Sequence, residues 1–262
     1  MKNISLITTT AAAVALSVAL IACKESSKGT TKTPNAAAKE ETKGSEPASE
    51  TATTKVMLQP DKAAQDKLTP ASVLANLKEG NKRYQETSLT KQSIGDRIKA
   101  AQSGQYPKAY ILSCVDSRVP VETVFDQSIG DIFVGRVAGN VENNDQLGSM
   151  EYAAAVAGIK LIVVMGHESC GAVKSACDDV KLGNISSLLQ KIRPAVLSVD
   201  GYQEKSSKDK DIVKKVIHAN VKKTIGDIRN RSEVLADLEA EGKIKIVGAY
   251  YTLGSGAVDF IE

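Results

Sequence analysis

Two short apolar runs end in reactive side chains, and that limits the possible folds more than anything else in the chain. The first, Ala109 to Leu112, leads into Ser113-Cys114-Val115-Asp116-Ser117-Arg118. The second, Lys160-Leu-Ile-Val-Val-Met165, leads into Gly166-His167-Glu168-Ser169-Cys170-Gly171. Runs of this length and apolar content read as buried strands. At the strand period, Cys114, Asp116 and Arg118 share one side if the chain stays extended. Two strand ends therefore offer two thiols and one imidazole, with a carboxylate beside them.

The segments between these runs have helical spacing. Thr69-Pro70 reads as an N-cap with proline in the first turn, followed by Val73, Leu74 and Leu77. Arg97 to Gln102 and Val121 to Phe125 are short helix candidates. Asp145 to Ala157, Cys170 to Val180, Asn184 to Val196 and Asp209 to Arg229 are longer ones, and Ser232 caps a further helix that Gly242 ends. Strands are expected at Asp131–Val134, at Ile244–Tyr250 and, as an edge, at Ala257–Ile261. Alternating strands and helices imply an α/β fold: a mainly parallel central sheet flanked by helices, with an N-terminal helical arm. In such sheets, sites lie beyond the carboxyl ends of the strands, where Cys114 and His167 both fall.

The first 60 residues read differently. Met1-Lys2 is followed by an uncharged stretch, Asn3 to Ala22, and then by Leu20-Ile-Ala-Cys23 across the join. That is a secretory signal over 1–22, and its end resembles the bacterial lipobox, which implies lipidation of Cys23. Resemblance to lipoprotein sorting, with Lys24 rather than Asp after that cysteine, points toward the outer membrane, with the domain on the periplasmic side. The bland alternative is an uncleaved signal anchor. Residues 23–60 are rich in Thr, Ala, Lys, Glu, Ser and Pro and read as a tether. Residues 61–262 remain for one catalytic domain. A net charge of +3 with interspersed signs gives no footprint for nucleic acid.

Of four cysteines, Cys23 belongs to the leader, leaving Cys114, Cys170 and Cys177. An odd number fits a metal site better than a disulfide framework. Zinc favours thiolate and imidazole, and catalytic sites keep the fourth position open. Cys114, His167 and Cys170 supply three ligands for one Zn2+ per subunit, and the other histidine, His218, lies within a helix pattern. Gly166 and Gly171 are expected to permit the tight backbone between the second and third ligands. Two thiolates neutralise the ion, so activity should rise on the alkaline side of neutrality. A bidentate Arg118–Asp116 pair would keep Asp116 ionised and turned from the metal, to accept a proton from the activated water. If that pair broke, Asp116 could take the fourth position and close the site. Cys177 reads as core packing and His218 as a helix-face histidine. Arg136 reads as support for the cleft or an interface, and equally as a plain structural contact. Gly139 reads as a close backbone approach to substrate, or as a turn glycine.

Cys114-Val-Asp-Ser-Arg118 together with Gly166-His167-Glu-Ser-Cys170-Gly-Ala-Val resembles the β-class carbonic anhydrases. Gly80-Asn-Lys-Arg-Tyr84, Asp131-Ile-Phe-Val134 and Arg136-Val-Ala-Gly-Asn140 support the match, which runs from about Leu68 to Ile261. Val137 departs from the Arg-Asn-Ala-Gly of many members, at a position that is not a ligand. The resemblance implies reversible hydration of CO2 to bicarbonate, and a homodimer or homotetramer with its cleft at the subunit interface. It also implies that Gln127 reaches that cleft. A bicarbonate pocket built on tryptophan, found in some members, is absent, because the chain has no Trp. Two alternatives stand beside this one: a related zinc hydrolase acting on CS2 or COS, and a non-catalytic zinc-binding lipoprotein.

Overall fold

The structure, a computed structural model, describes residues 61–201 and 207–261. The signal segment, Cys23 and the tether lie outside the described residues. Among those described, no helix is long and apolar enough to cross a membrane.

The N-terminal arm holds α1 (Lys62–Asp66), α2 (Pro70–Gln85) and α3 (Ile94–Ala101). Thr69 caps α2, and its reciprocal bonds with Ser72 satisfy two end groups. The helix continues through Gly80, which is there for space. A Cβ at Gly80 would lie 1.9 Å from the carbonyl oxygen of Phe125. Beside it, buried Asn81 donates to the carbonyls of Val124 (3.1 Å) and Gly256 (2.8 Å) and accepts from the Val258 N–H (2.9 Å). One side chain thus ties the arm to two distant segments.

After β1 (Ala109–Ser113) come α4 (Val121–Val124) and β2 (Ile132–Arg136). A 3-10 turn (Ala138–Asn140) then leads to α5 (Asn144–Glu151). The expected helix to Ala157 instead widens into a π-helical turn at Tyr152–Val156, where the Ala157 N–H bonds the Tyr152 carbonyl. Next come β3 (Leu161–His167), α6 (Gly171–Cys177), α7 (Gly183–Leu197), α8 (Lys210–Arg231), α9 (Glu233–Ala240), β4 (Lys245–Tyr251) and β5 (Val258–Ile261). The sheet order is β2-β1-β3-β4-β5, parallel throughout except for the antiparallel β5.

Strand alternation divides the core. Tyr110, Leu112, Ile162, Val164 and Ile246 face α5, α8 and α9. Ala109, Ile111, Leu161, Val163, Met165 and Val247 face α2 and α4. The chain leaves β1 for β2 through α4 and reaches β3 through α5, which packs on the other face. The strand order therefore reverses between β1 and β3, and their carboxyl ends flank a crevice.

A buried ion pair sets the start of β2. The Arg97 guanidinium bonds both carboxylate oxygens of Asp131, at 3.2 and 3.1 Å, with the side chains only 3% and 1% exposed. Arg97→Leu would strand the carboxylate, and is expected to cost about 3–5 kcal/mol in urea unfolding. Adding Asp131→Asn should recover most of that loss.

Candidate metal centre

The site begins where β1 stops. Ser113 still holds the sheet, its carbonyl accepting from the Val137 N–H at 3.0 Å. Cys114 follows, 4% exposed. The chain does not stay extended to Arg118, as strict alternation would require. It turns at Asp116, whose Oδ1 accepts the backbone N–H of Arg118 at 3.0 Å, a local side-chain turn typical of Asp. The same turn brings the guanidinium round, with Nε on Oδ1 at 2.9 Å and Nη2 on Oδ2 at 2.7 Å. The bidentate pair is therefore made by a turn, not by shared strand polarity. Arg136, at the end of β2, braces the segment from the next strand. Its Nε donates to the Cys114 carbonyl (2.9 Å) and its Nη2 to the Asp116 carbonyl (2.5 Å).

The second half comes from β3. His167 is the last strand residue and fully buried. Its Nδ1 lies 2.9 Å from the Glu168 carbonyl, which can only accept, so Nδ1 carries the proton. Nε2 is left as a lone-pair donor, buried and without a hydrogen-bond partner among the described residues. The tight backbone before Cys170 is made at Ser169, with φ of 55°, rather than at the flanking glycines. Gly166 instead gives room for α8, since a Cβ there would meet Ile217 Cγ2 at 2.7 Å. Gly171 simply opens α6, with open space around it.

Cys114 Sγ, Cys170 Sγ and a ring nitrogen of His167 all lie within 4.8 Å of one another. The sulfurs are 4.0 Å apart and both are free. Two zinc–sulfur bonds of about 2.3 Å in a tetrahedron set their sulfurs about 3.8 Å apart, so the spacing suits that ion. The orphaned His167 nitrogen and the closely spaced thiols form a donor set that fits zinc. Asp116 Oδ2 stands at the rim, 3.8 Å from His167 Nε2, while held by Arg118.

A family model described as "Carbonic anhydrase" matches residues 109–258. The chain is 36% identical over 194 residues to carbonic anhydrase 2 of Mycobacterium tuberculosis, covering 71% of this chain and 90% of that one. It is 37% identical over 196 residues to the carbonic anhydrase of Mycolicibacterium smegmatis, covering 72% and 92%. Its structure is similar to that of the β-carbonic anhydrase CafA of Aspergillus fumigatus, with a TM-score of 0.59 at 25% identity over 73% of this chain and 89% of the other. The chain belongs to the β-class carbonic anhydrase family.

Within this carbonic anhydrase, the structure gathers Cys114, His167, Cys170, Asp116, Arg118 and Gly139. Gly139 sits in the left-handed region at φ 70°, and its N–H points to Cys114 Sγ at 3.4 Å. The close approach is thus to a ligand sulfur. Val137, the departure from the family motif, packs against the cluster that contains both ligand cysteines. Gln127 is not brought to the site within the chain. Its Oε1 accepts from Lys108 Nζ (2.9 Å), next to the amino end of β1, and its Nε2 donates to the Phe125 carbonyl (2.6 Å). Cys177 is half-buried against the ligand cluster, and His218 stacks on Tyr250 at 4.8 Å between ring centroids. The bracing role of Arg136 was hidden because its partners are backbone carbonyls in the turn beyond β1, although its place beside Val-Ala-Gly-Asn140 marks the segment.

The electrostatics follow from these contacts. The Cys170 thiol bonded to Cys114, together with the Gly139 N–H, holds the Cys114 thiol below its ordinary range although burial opposes this. The same contact and burial push Cys170 up. The Arg118 hydrogen bonds hold the Asp116 carboxyl well below the usual carboxylate range. A depressed carboxyl stabilises the fold above its unfolded value, near 3.9, and loses that contribution as pH falls toward the folded value. Arg118→Met should therefore raise the Asp116 pKa, followed by carboxyl NMR, toward about 3.9. The difference in melting temperature between the two proteins should be present at pH 7 and shrink below about pH 4.

Proposed function

We propose that this chain catalyses the reversible hydration of CO2 to bicarbonate and a proton. The observation that carries the reading is the convergence of Cys114, His167 and Cys170 with the Arg118-held carboxylate of Asp116 at their rim. Held by two thiolates and an imidazole, zinc supplies Lewis acidity that makes a water nucleophilic, at higher pH than a three-histidine set would. His167 is kept in one tautomer by the Glu168 carbonyl. Asp116 remains ionised and accepts a hydrogen bond from the attacking water, orienting its lone pair toward the carbon of CO2. Arg118 prevents Asp116 from swinging onto the metal, because both carboxylate oxygens are already engaged. Arg136 fixes the backbone that carries Asp116, so the acceptor does not drift.

Stopped-flow CO2 hydration by the zinc-loaded protein tests this reading. Activity should rise above neutral pH. Asp116→Asn should lower kcat/KM by about 100-fold or more with zinc still at one per chain. Unchanged turnover would remove Asp116 from the mechanism. Turnover of CS2 or COS in place of CO2 would move the chain to the related hydrolases. Zinc at full occupancy without any turnover would leave a binding protein.

The protein is further proposed to act as a homodimer or homotetramer. β2 is an edge strand, and the ring of Tyr152 lies 6.4 Å from that of Phe133 on it; Tyr152 and Val156, 50% and 70% exposed at the π-helical turn, give an apolar surface to cover. Gln127 is assigned to the partner's cleft on the family resemblance alone. Finally, Leu20-Ile-Ala-Cys23 supports lipidation at Cys23 and a place on the periplasmic side of a bacterial outer membrane. Expressed in a bacterium, the wild type should fractionate with membranes, and Cys23→Ser should move it to the soluble periplasmic fraction.

A further inference from the structure

We propose that Asn220 is a positioning residue for the Cys114 thiolate, acting through Gly139; the inference rests on the zinc reading of the site. Asn220 is 1% exposed, in the middle of the buried row of α8 formed by Val213, Val216, Ile217, Val221 and Thr224. An amide in such a row is unfavourable unless it is hydrogen-bonded. Its Nδ2 donates to the Gly139 carbonyl at 2.8 Å. That carbonyl can only accept, which fixes the orientation of the amide.

The bonded peptide has an unusual place. It joins two consecutive residues in the left-handed region, Gly139 at φ 70° and Asn140 at φ 45°. Asparagine adopts that region only at some cost, and such a pair persists where its surroundings hold it. The Asn140 N–H already bonds the Val137 carbonyl at 2.8 Å. Asn220 holds the opposite side of the same peptide, from 81 residues away. Gly139 itself favours no side chain, because its φ of 70° strains any L residue, and a Cβ would also press on Ile192 Cδ1 at 2.6 Å. The Gly139 N–H belongs to the preceding peptide; with its carbonyl held on the other side by Asn220, Gly139 cannot turn freely, and that N–H stays aimed at Cys114 Sγ at 3.4 Å.

An N–H donated to a ligand sulfur withdraws charge from it. The bound ion then receives less from Cys114 and acts as a stronger Lewis acid. Asn220 touches neither substrate nor metal ligand, so its effect passes entirely through the direction of one backbone N–H. The polar break was visible in the helix pattern, three residues past Ile217 and four past Val216, but its partner was not.

The test uses the whole chain with its metal exchanged. In the cadmium-113 wild-type protein, the Gly139 amide proton should show scalar coupling to the metal across the sulfur. The Cys114 and Cys170 β-protons report independently that the ion is bound there. In the cobalt protein, Asn220→Leu should shift the thiolate-to-cobalt band to lower energy. In the cadmium protein it should abolish the Gly139 coupling. With zinc, kcat/KM should fall by about 10-fold or more at unchanged metal content. Asn220→Asp, which keeps the shape but presents no donor when ionised, should act in the same direction and serves if the leucine variant does not fold. Thr224→Val, one turn along the same buried row, should leave the band and the coupling unchanged. Absence of the Gly139 coupling in wild type, or a leucine variant that retains both band and coupling, would overturn the inference while the zinc site stands. Failure of both cysteines to bind the ion would instead overturn the site reading, and this inference with it.

Discussion

The structure depends on the parallel pairing of β1 with β3. Ala109 to Leu112 pair with Leu161 to Val164, so both strands point their carboxyl ends the same way. The helices that follow β1 and β2 pack on opposite faces, and the crevice between the two strand ends stays uncovered by either. Residues 114 and 167, far apart in the chain, arrive there through one register. A slip of one residue would turn every side chain of a strand to the other face. Both faces are buried under separate apolar clusters, so the core specifies the register and the register specifies the site.

Around the donors, backbone atoms matter as much as side chains. Arg136 is spent on two carbonyls, those of Cys114 and Asp116, and so reinforces the turn that presents the carboxylate. Glu168, next to His167, is held from both ends: its N–H donates to the Tyr251 carbonyl at 2.8 Å and its Oε2 accepts from the Leu253 N–H at 3.0 Å. This locks the end of β3 to the chain beyond β4. The donors therefore sit on a frame that the next strands hold rigid, which is the condition for preorganised chemistry.

The open sheet edges are handled in two ways. At β4, the outward N–H of Ile246 bonds Glu239 and its carbonyl bonds Arg229, at 2.9 and 3.2 Å, so an ion pair stands where β5 no longer reaches. At β2, the other side of the sheet, no such ion pair stands among the described residues, and half-exposed Tyr152 lies against Phe133. A charged, satisfied edge resists pairing, whereas an apolar one invites a partner.

Local signals decided much of this protein. The strand ends, the helix caps at Thr69 and Ser232, and the identity of the three donors were legible because residue type and period act over a few positions. The edge strand and the break at Gly242 were legible for the same reason. Strict alternation failed at Asp116, where a side-chain turn outcompeted the extended chain, and the flanking glycines drew attention from Ser169, which actually turns. What only the tertiary structure decided were the contacts made at a distance: Arg136 on the Cys114 carbonyl, the Gly139 N–H on its sulfur, and Asn220 behind Gly139. These rest on backbone groups, which every residue carries alike, so no pattern of side chains announces them until the fold has placed them.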